Sequence, residues 1–141
     1  MFQRILLATD GSEHAERAAD AALGLARELS DAHVTLLHVS SQAPSRGQLL
    51  QANLDIKSLL EAEAHATIAS IESKFTEAGL PYRLEVALGD PAQKIVEIAA
   101  ARGIDLIVIG SRGLGPVSAV LLGSVSHRVA HDAGCPVMIV K

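Results

Sequence analysis

The chain has 141 residues and a formal net charge of −4, and 49% of its residues are hydrophobic while 20% are charged. A globular chain of this length buries roughly 70% of the surface that its unfolded form exposes, which excludes intrinsic disorder and any need for a disulfide or metal to hold the fold. The negative charge, the lack of a lysine or arginine run and the 2% aromatic content exclude nucleic acid as a partner, because the sequence offers neither a basic stripe nor a stacking surface.

Five short apolar runs of β type alternate with helical patterns along the chain. The runs are nearly continuous rather than polar at every second position, which is typical of parallel strands covered on both faces. The predicted strands are Arg4 to Thr9, His33 to Val39, Tyr82 to Leu88, Asp105 to Gly110 and Pro136 to Val140.

Four helices are predicted between these strands. The first begins near Ser12 and carries alanines at three- and four-residue steps. A polar loop, Ser40 to Gln48, follows the second strand and leads into the longest helix. That helix ends at Gly79, the third runs from Asp90 to Gly103, and the last covers Ser124 to Ala133.

The order of strands and helices, with right-handed crossovers, predicts an α/β fold in one domain over residues 1–141. It is an open, doubly wound, Rossmann-like sheet of five parallel strands with helices on both faces. Ligands of such sheets bind beyond the carboxyl ends of the strands. The chemistry is therefore expected after Thr9, Val39, Leu88 and Gly110.

The segment after the fourth strand has the composition of an anion-binding loop. Gly110 and Gly113 lack a Cβ, so their backbone N–H groups can approach a ligand closely. The helix that opens after Gly123 favours phosphate at its N-terminus. Additional hydrogen-bond donors are Arg112, Ser124 and Ser126.

Glycines end strands and serines cap helices in any α/β protein, so each of these residues alone is more often structural. The combined spacing Gly110-x2-Gly113-x9-Gly123-Ser124 is more specific, since it should arise by chance in roughly 1% of chains of this length.

That spacing resembles the ATP-binding signature of the universal stress protein family, and the opening Ile5 to Ser12 is similar to the family's first strand and turn. The resemblance implies a sheet order of 3-2-1-4-5, a fold of the adenine nucleotide alpha hydrolase-like type, and commonly a homodimer. It also implies that ATP lies between the ends of the first and fourth strands. Further similar segments are His38-Val39, Gly89-Asp90-Pro91, Ile107 to Gly110 and Cys135-Pro136-Val137, so the resemblance covers the whole chain.

The same resemblance implies which residues hold the nucleotide. Ala8, Thr9 and Asp10 would line the adenosine and the ribose, and Val39 would contact the adenine. The residues implied at the phosphates are Gly110, Ser111, Arg112, Gly113, Gly115, Gly123, Ser124, Val125 and Ser126.

Asp10 has three open roles. Its carboxylate could accept a ribose hydroxyl, hold Mg²⁺ beside the phosphates of ATP, or stabilise the turn ahead of Ser12. The ribose role is favoured over the magnesium role.

Two features predict an association between copies of the chain. Residues 114–122 are apolar for a loop and must be covered by the fold, the nucleotide or another subunit. The last strand is expected at an edge of the sheet, where unpaired backbone groups invite pairing. We therefore expect a twofold homodimer through the C-terminal edge strand.

The cellular location is expected to be the cytoplasm. The longest uncharged stretch, 113–126, is shorter than the about 20 residues that a membrane span needs, and Ile5 to Ala8 is too short for a signal peptide. The single cysteine, Cys135, cannot form an intramolecular disulfide, which agrees with a reducing compartment. No membrane is expected as a partner.

The histidines are mostly interpreted as solvated or capping groups. His127 and His131 share a helix face, but no third ligand is evident, so a zinc site is rejected. His38, at the end of the second strand, is expected to border the nucleotide cleft. The histidines given a solvated or capping role are His14, His33, His65 and His127.

Three functions are compatible with these patterns. We favour a nucleotide-dependent regulatory or signalling module of the stress response, read by a protein partner that the sequence does not identify. An enzyme that hydrolyses ATP slowly is less favoured, because phosphoryl transfer generally needs a lysine and metal-holding carboxylates, and 110–126 contains no Lys, Asp or Glu. A nucleotide-free protein-interaction module is the third candidate, and the intact glycine signature argues against it.

Overall fold

A computed structural model describes residues 2–112 and 123–141. The described strands are all parallel and lie in the order β3-β2-β1-β4-β5, which confirms the sheet order implied by the family resemblance. The strands are β1 (Arg4–Ala8), β2 (His33–Ser40), β3 (Tyr82–Leu88), β4 (Leu106–Gly110) and β5 (Val137–Val140). The helices are α1 (Glu13–Glu28), α2 (Arg46–Gln51), α3 (Ile56–Thr67), α4 (Ala69–Glu77), α5 (Pro91–Ala101) and α6 (Ser124–Asp132).

The central strand β1 is buried on both faces, as its continuous apolar run predicts. Leu7 lies in register with Leu36 of β2 and Val108 of β4, and all three pack on the face covered by α1, α3 and α4. Leu6 and Leu37 face the opposite layer, formed by α5 and α6. Because side chains alternate along a strand, one sheet supplies two separate cores.

Helix α1 presents the alanine face that the sequence predicts. Ser12 is its N-cap, and the Ser12 hydroxyl accepts a hydrogen bond from the Ala15 N–H at 3.1 Å. Small side chains allow the helix backbone to lie close to the sheet. The buried alanines are Ala15, Ala18, Ala19, Ala22 and Ala26.

The expectation of one long helix after the second strand is wrong, because this region contains three helices. Helix α2 begins inside the predicted loop, where Ser45 and Gln48 form a reciprocal capping box. Helices α3 and α4 are separated at Ile68, whose φ of −112° and ψ of 21° are not helical. Ile68 and Ile71 are nevertheless both fully buried, so the apolar stripe continues across the break and conceals it in the sequence.

The predicted ends of most other elements differ from the observed ends by one residue. Strand β1 ends at Ala8 rather than Thr9, because the Thr9 carbonyl accepts a hydrogen bond from the His38 ring instead of from a strand. Strand β2 extends to Ser40, whose carbonyl accepts the Gly89 N–H at 2.9 Å. Three elements are one residue shorter than predicted: β4 starts at Leu106, β5 starts at Val137 and α6 ends at Asp132.

A hydrogen-bonded carboxylate joins α3, α4 and β3. Glu72 of α4 is bound by the His65 ring at 2.7 Å and by the Tyr82 hydroxyl, which donates to its other oxygen. The Tyr82 ring also packs edge-on against Phe75, with 5.9 Å between ring centroids. Burial, together with the hydrogen bond to Glu72, raises the pKa of Tyr82 to about 12.

We expect the fold to lose stability between pH 10 and 12 as Tyr82 ionises. The pKa of Tyr82 rises from 10.0 to about 12 on folding, so its protonated form stabilises the protein below pH 10, and this contribution disappears as the pH passes through the folded value. Tyr82 is the only tyrosine in the sequence, so its near-ultraviolet absorbance reports this ionisation directly. Tyr82→Phe should flatten the alkaline fall in the free energy of unfolding. A tyrosinate signal that develops near pH 10 in protein still folded by circular dichroism would contradict this.

Candidate functional site

A cavity of about 860 Å³ opens at the carboxyl edge of the sheet. The ends of β1, β2 and β4 and the start of α6 surround it, as expected for an open parallel sheet. Most of the residues predicted for the nucleotide line it, namely Ala8, Thr9, Asp10, Val39, Gly110, Arg112, Gly123, Ser124, Val125 and Ser126. Ser111 is buried beside this group, and Gly113 and Gly115 lie outside the described residues.

The N-terminus of helix α6 faces this cavity. Its N-cap is Gly123, and no side chain in the described part of the chain makes a cap hydrogen bond there. The first helical backbone bond runs from the His127 N–H to the Gly123 carbonyl at 3.0 Å. The earlier N–H groups of the turn lie at the positive end of the helix dipole, which is an arrangement that favours anions.

Ser126 fastens the start of α6 to the end of β4. Its hydroxyl donates to the Ser111 carbonyl at 2.9 Å and lies 3.1 Å from the Gly123 carbonyl. The Gly123 N–H also donates to the Ser111 carbonyl, at 2.6 Å. The hydroxyl hydrogen of Ser126 is thus directed at the backbone in this structure, whereas Ser124 is exposed at the cavity.

Gly110 is required by helix packing as well as by its place at the cavity. A Cβ on Gly110 would lie 2.8 Å from the carbonyl carbon, the carbonyl oxygen and the Cβ of His14. The start of α1 therefore rests directly on the end of β4. The His14 ring, expected to be solvated or capping, instead lies 3.1 Å from the Ser111 hydroxyl through Nδ1.

Asp10 has a structural role in the turn after β1. Its Oδ1 accepts a hydrogen bond from the Ser12 N–H at 3.0 Å, which is the turn-stabilising role that the sequence left open. Asp10 also lines the cavity, so the turn holds its carboxylate at the cavity wall.

One wall of the cavity is polar and includes His38 and Thr9, as expected from the sequence, together with Ser40 and Glu63, which the sequence did not indicate. His38 is 7% exposed, and its Nδ1 lies 3.1 Å from the Thr9 carbonyl, which can only accept, so Nδ1 carries the proton. Its Nε2 lies 3.9 Å from Oε1 of Glu63, which also accepts from the Ser40 hydroxyl at 3.3 Å. Glu63 lies on α3, and nothing in the local sequence places that helix beside β2.

Thr9 adds a buried hydroxyl to this wall. Thr9 is 6% exposed, and among the described residues its Oγ1 has no hydrogen-bond partner. An unsatisfied buried polar group costs about 1–3 kcal/mol, so a ligand that bonds to Oγ1 would recover part of that cost.

The opposite wall is aliphatic. Leu37, Val39 and Ile95 belong to the core that α5 and α6 form with the sheet, and they line the cavity on that side. A planar apolar group can pack here without an aromatic partner. This wall and the polar wall meet at the ends of β1 and β2.

Other candidate chemistry is limited in the described residues. Among residues 2–112 and 123–141 there is no group of three or more histidine, cysteine, aspartate or glutamate side chains that could hold a metal ion. Burial raises the pKa of the Cys135 thiol, which makes it a weaker nucleophile. Within the same ranges, none of the helices has the length and apolar character needed to cross a membrane.

The fold and the cavity define an open α/β protein with its ligand cleft at the carboxyl edge of a parallel sheet. The chain matches the model of the universal stress protein family over residues 1–141, and it belongs to that family. It is similar to the universal stress protein YxiE of Bacillus subtilis, with 34% identity over 149 residues that cover the whole of both chains.

Solved structures of this family superpose on the chain. MJ0577, a protein of Methanocaldococcus jannaschii, has a TM-score of 0.80 and 30% identity, and the match covers 100% of this chain and 96% of that one. A universal stress protein in complex with cAMP has a TM-score of 0.75 and 27% identity, covering 99% and 97% of the two chains.

Gly110→Ala should destabilise the fold by about 1–3 kcal/mol, because the added methyl group meets the backbone of α1. Gly24→Ala is the matched control: it lies within α1, its Cβ would meet nothing within 4 Å, and it should stabilise the fold by about 0.5–1 kcal/mol. Urea unfolding measures both changes. Equal stability of the Gly110→Ala and wild-type proteins would show that α1 does not rest on β4 as described.

Proposed function

We propose that this chain is an ATP-binding universal stress protein that acts as a nucleotide-dependent regulatory module. The observation that carries the proposal is the N-terminus of α6, which has no cap from a described side chain and faces the cavity. The family resemblance of the glycine spacing and the similarity to a relative in complex with cAMP support an adenine nucleotide as the ligand.

The cavity has distinct surfaces for the parts of ATP. The aliphatic wall at Val39 and Leu37 suits the adenine, and the Asp10 carboxylate suits a ribose hydroxyl. The phosphates would lie on the first turn of α6, where N–H groups and the Ser124 hydroxyl can donate to them. Arg112 lines the same cavity and supplies a positive charge.

Mg²⁺ would accompany the phosphates of ATP. Hard cations prefer oxygen ligands, and Mg²⁺ is commonly held by one or two carboxylates together with phosphate oxygens. Asp10 would fill this role only in the less favoured alternative in which its carboxylate does not hold the ribose. Phosphate oxygens and water molecules would supply the remaining ligands.

A binding role is favoured over catalysis. None of the described cavity residues is a lysine, whereas phosphoryl-transfer sites generally use one to hold the transferred phosphate. We therefore expect any hydrolysis of ATP to be slower than about 1 per second, below the range of dedicated enzymes. In the regulatory role, occupancy of the cavity changes the surface that a cytoplasmic protein partner recognises.

Ser124→Ala should weaken ATP binding by about 10- to 150-fold. The substitution removes one hydrogen bond to a charged phosphate, which is worth about 1.5–3 kcal/mol. Ser58→Ala is a matched control, because Ser58 also lies in the first turn of a helix, is exposed and is not in the cavity wall. Isothermal titration calorimetry with ATP and Mg²⁺ measures both.

Two results would count against the proposal. If Ser124→Ala and Ser58→Ala both bind ATP with wild-type affinity, Ser124 does not contact a phosphate. A wild-type protein that neither binds ATP in the calorimeter nor releases an adenine nucleotide on denaturation, as measured by mass spectrometry, would remove the function itself.

We also propose that the protein is a homodimer through β5. This strand is at an edge of the sheet, and Met138 is 37% exposed on it. The Pro136 carbonyl accepts a hydrogen bond from Ile107 of β4 and the Val140 carbonyl accepts one from Ser111, so the backbone groups of Val137 and Ile139 point to the other side. An open parallel edge of this kind is suited to pairing with a second copy.

Ile139→Pro should convert the dimer to a monomer. It removes an outward N–H while leaving the bonds to β4 in place, and proline is tolerated on edge strands. Sedimentation velocity at micromolar concentration should show a dimer for wild type and a monomer for the variant. A monomeric wild-type protein excludes the homodimer, and a dimeric variant that retains the wild-type circular dichroism spectrum excludes the β5 edge.

A further inference from the structure

His127 is a cavity residue, although the sequence indicated a solvated or capping role for it. It lies in helix α6, three residues after Ser124, and its exposed side chain lines the cavity. Residues three apart on a helix are neighbours on one face, with about 5–6 Å between their Cβ atoms. His127 therefore stands beside the first turn, where the phosphates are proposed to lie.

The direction of helical side chains brings the imidazole closer to that turn. The Cα–Cβ bonds of a helix tilt toward its N-terminus, so a side chain covers the turn that precedes it. Arg128, four residues after Ser124, is the next basic group on α6, and it is paired with Asp90, with 3.0 Å between Nη1 and Oδ2. In the part of the chain that the structure describes, the imidazole of His127 makes no hydrogen bond or ion pair.

We propose that His127 binds a phosphate of the nucleotide and makes nucleotide affinity increase as the pH falls. This inference rests on the proposed function and names a further binding residue of the same site. A neutral imidazole offers one N–H donor, whereas the imidazolium offers two donors and a positive charge. A charge-assisted hydrogen bond to phosphate is roughly twice as strong as a neutral one.

The other ionisable groups around this corner are the same in wild type and in a His127 variant, so a comparison of the two isolates His127. On α5 and α6 most of them are already paired: Asp90 with Arg128, Lys94 with Glu97, and His131 with Asp132. Strand β5 carries only apolar residues. The remaining groups nearby are His14, which is bonded to Ser111, and the cavity residues Asp10, Arg112, His38 and Glu63, of which the last two face each other at 3.9 Å.

Affinity measurements at several pH values test this with three ligands and three variants. Calorimetry between about pH 5.5 and about pH 8 compares ATP, AMP and adenosine, which has no phosphate. His127→Gln keeps the size and one donor but cannot become charged, and His127→Lys keeps a positive charge throughout the range. His131→Gln is the matched control, since His131 lies one turn further along α6 and does not line the cavity.

The quantity to compare is the ratio of the wild-type affinity to the His127→Gln affinity. The phosphate of the nucleotide itself titrates near pH 6, and this effect is common to both proteins. For ATP this ratio should be about tenfold at the acidic end and approach one at the alkaline end. His131→Gln should follow wild type, and His127→Lys should bind ATP tightly with little added pH dependence. Adenosine should show equal affinity for wild type and His127→Gln at every pH.

Several outcomes would overturn the inference. The first is an affinity ratio for ATP that does not change with pH. The others are a His131→Gln variant that weakens ATP binding as much as His127→Gln, or a His127→Gln variant that weakens adenosine binding as much as ATP binding. If His127→Gln does not fold, His127→Lys carries the test, and a wild-type pH profile in that variant overturns the inference. If the wild-type protein binds ATP at no pH, the proposed function is wrong. If wild type binds ATP tightly and His127→Gln has the same pH profile, only the role of His127 is wrong.

Discussion

The function proposed for this protein depends on one local constraint, the open first turn of helix α6. A helix leaves its first N–H groups without intrahelical partners, and most helices satisfy one of them with a capping side chain. Here the N-cap is glycine, and Ser126 instead uses its hydroxyl to hold the backbone of Ser111. Among the described residues, the N–H groups of Ser124, Val125 and Ser126 therefore have no capping partner, and two hydrogen bonds to the Ser111 carbonyl hold the turn against the end of β4.

The different character of the two cavity walls follows from the alternation of side chains along β2. Leu37 and Val39 point toward the layer of α5 and α6 and make an aliphatic wall. His38 and Ser40 point the other way, toward Glu63 of α3. A single strand thus supplies an apolar surface for a base and a hydrogen-bonding surface beside it, and the two meet where the strand ends.

The strands and most helix ends could be predicted from the sequence because their signals are local. Continuous apolar runs give the buried parallel strands, and Asp90 with Pro91 gives the start of α5, where the Asp90 side chain accepts the Gln93 N–H at 3.0 Å. The break at Ile68 could not be predicted, since no glycine or proline marks it and the apolar stripe continues through it.

The missed parts of the site depend on contacts between distant segments. Glu63 approaches His38 only because α3 packs on β3, the neighbour of β2, and Gly110 meets His14 only because α1 crosses the end of β4. The four-residue spacing of His127 and His131 indicates only that they share a helix face. That His127 lines the cavity depends on how α6 packs against the sheet.

The most direct test of the central claim is a nuclear magnetic resonance measurement of the amides of Ser124, Val125 and Ser126 in the protein saturated with ATP and Mg²⁺. The account predicts scalar couplings between phosphorus nuclei of the nucleotide and these amide groups, transmitted through hydrogen bonds. If ATP binds while the three amides keep the chemical shifts of the free protein and show no such coupling, the first turn of α6 does not hold the phosphates.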